Sequence, residues 1–270
     1  MKEFKGKAIY NPSGKAGEYS YWACNFYKGC SNGCTYCYLK KGVLAHAMGG
    51  DKPELKTCFK DHTHALEVFR KELLQNIAEI QKNGLFFTFT SDPFLKETID
   101  LTHDAIGHCH YFKVPVKVLT KTTWWVDDLL LYEDTYHDHA KDLIAYGFTL
   151  TGHDELEPNA STNAERIEAM KKLHYAGFKT FASIEPIISL KDSFEMICLT
   201  NGFCDLYKIG LLSGKKYDRN ELQLFILDVI DQTEFYQSKV YFKDTLLKSA
   251  DIERSELPVR CVTRNYNLFK

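Results

Sequence analysis

Apolar and polar residues run along this chain in two alternating rhythms. Over 61–83 the apolar residues Leu66, Phe69, Leu73, Ile77 and Ile80 step by three and four, which predicts one amphipathic helix. Gly84 follows as a residue able to close it in a left-handed conformation. The β-rich run 85–90 comes next, and its composition predicts a strand. The rhythm then repeats, with strands predicted over 114–120, 148–151, 178–184 and 205–209. Helices are predicted over 124–131, 137–145, 162–177, 190–199 and 221–230. Thr162 and Glu165 form a capping box that opens one of these helices, and Gly177 ends it. A further strand is expected around 21–26, giving six. The strands recur about every 30 residues, the length of one unit in a barrel of eight βα units. Six units predict an α/β protein with a partial (βα)6 TIM-type barrel, a doubly wound sheet being the other reading. No Gly- or Ser-rich linker divides the chain. The expected organisation is an N-terminal extension over 1–17, a barrel over 18–244 and a C-terminal extension over 245–270.

Composition narrows the class. Of 270 residues, 44% are hydrophobic and 26% charged, which is the balance of a globular protein. No run of 18 apolar residues is present, so no membrane span is expected. The first residues carry no apolar stretch of a secretory signal, so a cytoplasmic protein is expected. Lys and Arg number 34 against 36 acids, a net charge of −2 that gives no global attraction to nucleic acid, although a local basic groove for such a partner stays possible.

Nine cysteines change the picture. In a reducing compartment they serve as metal ligands, nucleophiles or core residues more often than as disulfides. Cys30, Cys34 and Cys37 are spaced C-x3-C-x2-C, with Gly29 and Gly33 letting the backbone bend around them. A structural zinc site wants four ligands, commonly as two pairs, and no second pair is present. Three thiolates suit a four-iron cluster with one iron left open to a ligand. Zinc, or ordinary buried thiols, are the alternatives, and Cys24 is near enough to be considered as a fourth ligand.

The segment from Cys30 to Cys37, followed by Tyr38, resembles the signature of the radical S-adenosylmethionine (SAM) superfamily. Asn25-Phe26-Tyr27-Lys28-Gly29-Cys30 and Tyr36-Cys37-Tyr38 are similar to its spore photoproduct lyase-like branch. So are Phe89-Thr90-Ser91-Asp92-Pro93, Leu119-Thr120-Lys121-Thr122, Glu157-Pro158-Asn159-Ala160-Ser161 with Arg166, and Ile184-Glu185-Pro186-Ile187-Ile188. The resemblance implies a partial barrel of the radical SAM kind, in which Cys30, Cys34 and Cys37 ligate a [4Fe–4S] cluster. It implies that SAM binds the open iron and is cleaved to a 5′-deoxyadenosyl radical, which takes hydrogen from a substrate. It also implies an electron donor such as flavodoxin or ferredoxin. Expected SAM contacts are Thr90, Ser91 and Asp92 at one strand end, Lys121 at the next, and Thr149 and Thr151 on one face of a third. Tyr36 and Tyr38 are expected to shield the cluster or stack near adenine.

The pattern also departs from that branch. Spore photoproduct lyase has a hydrogen-donating cysteine just before its Thr-Ser-Asp stretch, where this chain has Phe89. DNA photoproduct reversal by that route is therefore not expected, and the substrate is left open. Arg166 follows a helix start, where it could reach a carboxylate, but reads first as a surface arginine. Trp124-Trp125 reads as a helix anchor in the barrel wall, with stacking on a flat substrate as the other reading. The C-terminal basic residues read as a partly packed tail rather than a cap on the barrel mouth or a phosphate contact. The reading from a different class is a non-catalytic binding protein stapled by zinc or an iron–sulfur centre.

Overall fold

The computed structural model describes residues 3–131 and 141–270. Eight strands form one sheet in the order β1-β2-β5-β6-β7-β8-β9-β10. They are β1 (Ile9–Tyr10), β2 (Ala23–Cys24), β5 (Leu85–Phe87), β6 (Val116–Thr120), β7 (Ile144–Thr149), β8 (Lys179–Ile187), β9 (Leu206–Leu211) and β10 (Lys239–Phe242). β1 lies antiparallel to β2, and every later pairing is parallel. A separate antiparallel pair, β3 (Tyr27–Lys28) with β4 (Glu54–Leu55), leads into and out of the cysteine loop. β1 and β10 are the edges of the sheet, so the barrel stays open.

The partial barrel is as expected, with one parallel strand more. β10 is only four residues long and includes a lysine, too short for its alternation to stand out. The helix Ile99–Tyr111 was also not read from the sequence; it follows β5 and buries Leu101, Ala105, Ile106 and Cys109. The 61–83 helix is two helices, His62–Gln75 and Ile77–Asn83. They break at Asn76, whose side chain donates to the Glu72 carbonyl at 3.0 Å. The helix expected over 137–145 falls partly outside the described residues, and Ile144 and Ala145 belong to β7. That strand starts earlier than its polar end suggested, because Ile144 to Phe148 is buried throughout. No helix among the described residues is long and apolar enough to cross a membrane.

Strand periodicity sorts the side chains into two cores. Ile144, Tyr146, Phe148, Ala182, Ile184, Tyr207, Ile209, Val240 and Phe242 join the larger core, under the helices. Phe86, Ala145, Phe181, Leu206 and Tyr241 form the smaller core inside the barrel. The same inward period carries Lys117 and Lys208 into the interior, then Ser183, Glu185 and Lys243 at the upper end.

Lys117 supplies a pH test. Burial pulls its ammonium down from 10.5 to about 8. Between those values the unfolded chain holds a proton that the folded chain has released. Stability is therefore expected to rise as pH is raised from about 8 towards 10.5, and to be lowest below 8. Lys117→Met should reduce that rise, the remainder coming from Lys208, whose ammonium burial also holds below its usual pKa. The variant should also add about 1–3 kcal/mol at neutral pH, seen by urea unfolding. An unchanged pH profile would show that the ammonium is hydrated.

Candidate active site

The C-terminal ends of the parallel strands converge on one cavity of about 380 Å³. In barrels of this kind, that rim is where the loops carry chemistry. Cys30, Cys34 and Cys37 line one wall, with Tyr36 and Tyr38. Ser91, Asp92, Lys121 and Thr149 come from the ends of β5, β6 and β7. Tyr19, Ser183, Glu185 and Lys243 line the same cavity.

Glycine shapes the cysteine loop. Gly29 has φ +78°, and a Cβ there would stand 2.3 Å from the Lys52 carbonyl oxygen. Gly33 has φ +73°, and a Cβ there would meet Asn159 at 3.0 Å and Pro158 at 3.2 Å. The loop docks on the segment after β7 through main-chain bonds. Thr35 donates to the Leu156 carbonyl at 2.9 Å, and Asn159 donates to the Asn32 carbonyl at 3.2 Å. The Asn159 side chain adds a bond to the Ser31 carbonyl at 3.0 Å. The Glu157-Pro158-Asn159 motif is thus a cradle for the cysteine loop.

Beneath the loop lies a buried charged network. Glu157 and Arg166 are an ion pair, and both side chains are 0% exposed. The expectation of a surface arginine is therefore corrected. The first turn of the helix Asn163–Tyr175 faces a carboxylate shut off from water, and only a cation in contact makes that burial tolerable. Arg166 also donates to the Thr149 carbonyl at 2.5 Å and to the Ser161 carbonyl at 2.8 Å. Tyr36 donates its phenol hydrogen to Glu157. Lys121 stands 3.7 Å from the same carboxylate and 5.7 Å from the Tyr36 ring centre. Burial, with Glu157 beside it, pushes the Tyr36 phenol well above its usual range.

Asp92 is buried and saturated. It accepts from Asn32 at 2.8 Å, Thr120 at 2.7 Å, and the backbone N–H groups of Phe94 at 3.0 Å and Lys121 at 2.8 Å. A carboxylate has about four acceptor sites, so Asp92 acts as a post joining the cysteine loop to the ends of β5 and β6. Beside it, the Ser91 hydroxyl oxygen is buried with no partner and lines the cavity.

Two expected contacts lie off the cavity. The chain leaves β5 at Phe87, so Thr90 does not continue its period, and its hydroxyl donates to the Tyr27 carbonyl at 2.5 Å. β7 ends at Thr149, and the chain turns through Gly152 at φ +72°. Thr149 lines the cavity, whereas the Thr151 hydroxyl turns to Glu157 at 3.4 Å. Tyr38 lines the cavity half-exposed and donates to the Phe89 carbonyl. Trp125 is the buried anchor of the pair, packed 4.3 Å from Phe94 between ring centres, while Trp124 is half-exposed. Sequence reasoning missed Asn32 and the part of the wall made by Tyr19, Ser183, Glu185 and Lys243. Reading the inward alternation of β8 as far as Glu185 would have found part of that wall.

The donor set fits an iron–sulfur cluster. Burial pushes the Cys30 thiol up to about 12 and also raises Cys34, so metal binding must displace their protons. Among the described residues, no three His, Cys, Asp or Glu side chains converge to hold a single metal ion. Cys24 lies in the large core away from the cavity and cannot complete a four-cysteine zinc site. The buried, unpartnered Ser91 hydroxyl marks the adjoining space as one for a polar ligand.

No protein-family model matches the chain. An uncharacterised protein of Methanocaldococcus jannaschii is 24% identical over 223 residues, spanning 79% of this chain and 78% of that one. Among solved structures, a spore photoproduct lyase complexed with dinucleoside spore photoproduct superposes with a TM-score of 0.63 at 17% identity. That match covers 88% of this chain and 79% of the lyase. SuiB of Streptococcus suis bound to SAM superposes with a TM-score of 0.51 at 14% identity, over 82% of this chain and 47% of SuiB. The chain shares the fold of spore photoproduct lyase and SuiB.

Proposed function

We propose that the protein is a radical SAM enzyme, with Cys30, Cys34 and Cys37 holding a [4Fe–4S] cluster and SAM occupying the cavity beside it. The observation that carries this reading is three cysteines opening together onto a cavity with an unpartnered buried hydroxyl, on this fold. A bound cluster supplies one electron that splits the sulfonium bond of SAM, giving a 5′-deoxyadenosyl radical that takes hydrogen from a substrate.

The chain's own residues bind, orient and exclude water. Lys121 brings an ammonium into the cavity, suited to the SAM carboxylate, and Glu157 holds it there. Ser91 offers a hydroxyl to the SAM amino group or ribose. Asp92, already saturated, positions both the cysteine loop and the Lys121 backbone. Thr149 faces the same space. Leu39, Phe89, Leu119, Leu211 and Leu212 make the remaining wall largely apolar, which keeps water from a reactive radical. The substrate is a molecule with an abstractable hydrogen, reduced turnover requires an electron donor of the flavodoxin or ferredoxin class, and a cytoplasmic setting fits both.

The test is anaerobic iron–sulfur reconstitution followed by dithionite and SAM. Formation of 5′-deoxyadenosine, with loss of both iron and product in Cys34→Ala, is the expected result. Stoichiometric iron with no SAM cleavage would instead favour a metal-stapled binding protein.

A further inference from the structure

The cavity that holds the cysteines also holds a hydrogen-bonded phenol that the reading above does not use. Tyr19 is buried, and its ring lies inside the barrel, 5.6 Å from the Phe86 ring and 6.0 Å from the Phe89 ring. Its hydroxyl is 2.6 Å from the Ser183 hydroxyl and donates to Glu185 at 2.7 Å. Lys243 holds Glu185 with bonds of 2.7 Å and 3.0 Å, and its side chain is 1% exposed. Gly210 makes room for this pair, since a Cβ there would stand 2.7 Å from Lys243 and 2.8 Å from Glu185. Burial and the neighbouring carboxylate keep the phenol well above its usual pKa, so it retains its hydrogen.

A carbon radical formed in this cavity meets a short set of hydrogen donors. The three thiols on its wall are committed to metal. Cys24, Cys58, Cys109, Cys198, Cys204 and Cys261 do not line it. Serine and threonine O–H bonds are too strong to yield hydrogen to an alkyl radical. Tyr36 is tied to the Glu157 network and Tyr38 to a carbonyl at the half-exposed edge. Tyr19 lines the same cavity, is buried and has the Ser183 hydroxyl as a second partner on its oxygen, and a phenol O–H is weaker than an alkyl C–H.

From this arrangement we infer that Tyr19 is the hydrogen-atom donor to carbon radicals generated in the cavity, an inference that rests on the proposed radical chemistry. The Tyr19 O–H bond breaks homolytically and a C–H bond forms, leaving a neutral phenoxyl radical. No charge moves. Rotation about the phenol C–O bond swings the hydrogen from Glu185 into the cavity. Ser183 donates to the oxygen before and after transfer. Lys243 keeps the Glu185 carboxylate paired once the phenol hydrogen has gone, so no buried anion is left alone. One electron from the low-potential reductant that serves the cluster, with one proton, restores the phenol.

The test needs no substrate. Reconstituted protein equilibrated in D2O is given SAM and dithionite, so that the 5′-deoxyadenosyl radical is itself the carbon radical. The expected product is monodeuterated 5′-deoxyadenosine, with a freeze-quenched tyrosyl signal by electron paramagnetic resonance. In Tyr19→Phe the deuterium should fall to natural abundance and the signal should vanish. Equal deuterium in both proteins overturns the inference while leaving SAM cleavage intact. No 5′-deoxyadenosine from the wild type overturns the proposed function instead. If the variant does not fold, wild type grown on ring-deuterated tyrosine carries the test. A signal that narrows supports a tyrosyl donor, and absence of any organic radical rejects it.

Discussion

Arg166→Met is expected to cost about 3–5 kcal/mol of stability, because it leaves the Glu157 carboxylate buried with its main cation gone. Both side chains are 0% exposed, so water cannot take over. The guanidinium also serves the Thr149 and Ser161 carbonyls, which would lose their donors. Urea unfolding of the metal-free protein measures the loss. The double variant Glu157→Leu, Arg166→Met should recover part of it, since neither charge is then buried alone. A single-variant loss below about 1 kcal/mol would show that the pair is hydrated and behaves as a surface ion pair. Lys121, already 3.7 Å from Glu157, can close some of the gap. Such a shift would draw its ammonium out of the cavity, so the variant should also bind SAM more weakly.

Asp92→Ala is expected to remove four hydrogen bonds at one point. Two of its donors are backbone N–H groups, of Phe94 and Lys121. Each buried donor left without an acceptor costs about 1–3 kcal/mol, so the total is several kcal/mol. The second consequence falls on the metal. Asn32 sits between Cys30 and Cys34, and Asp92 is the acceptor that holds its side chain at 2.8 Å. Freed of that anchor, the loop should lose iron faster to a chelator, read as the decay of cluster absorbance. Ser91→Ala, in contrast, should keep its iron and lose affinity for SAM. Equal iron retention in Asp92→Ala and wild type would mean that the loop is held by the Glu157-Pro158-Asn159 cradle alone.

The sequence by itself determined the features that depend on near neighbours. The C-x3-C-x2-C spacing brings three thiols onto one short loop wherever that loop lies. Thr162 and Glu165 close their capping box within one helical turn, and the roughly thirty-residue period implies a parallel barrel. Tertiary structure decided everything that depends on which residues lose water. Arg166 and Glu157 are nine positions apart and look like any two charges near a helix start; only the packing of that helix against β7 buries them together. Thr149 and Thr151 share a period on paper, yet the strand ends between them and sends one hydroxyl to the cavity and the other to Glu157. Tyr19 and Glu185 stand 166 positions apart, and no local pattern links them. Barrel curvature brings them to the wall of the cavity that the cysteines also line. Local spacing can specify a ligand set, but the low-dielectric surroundings that hold and tune it come from elements distant in the chain.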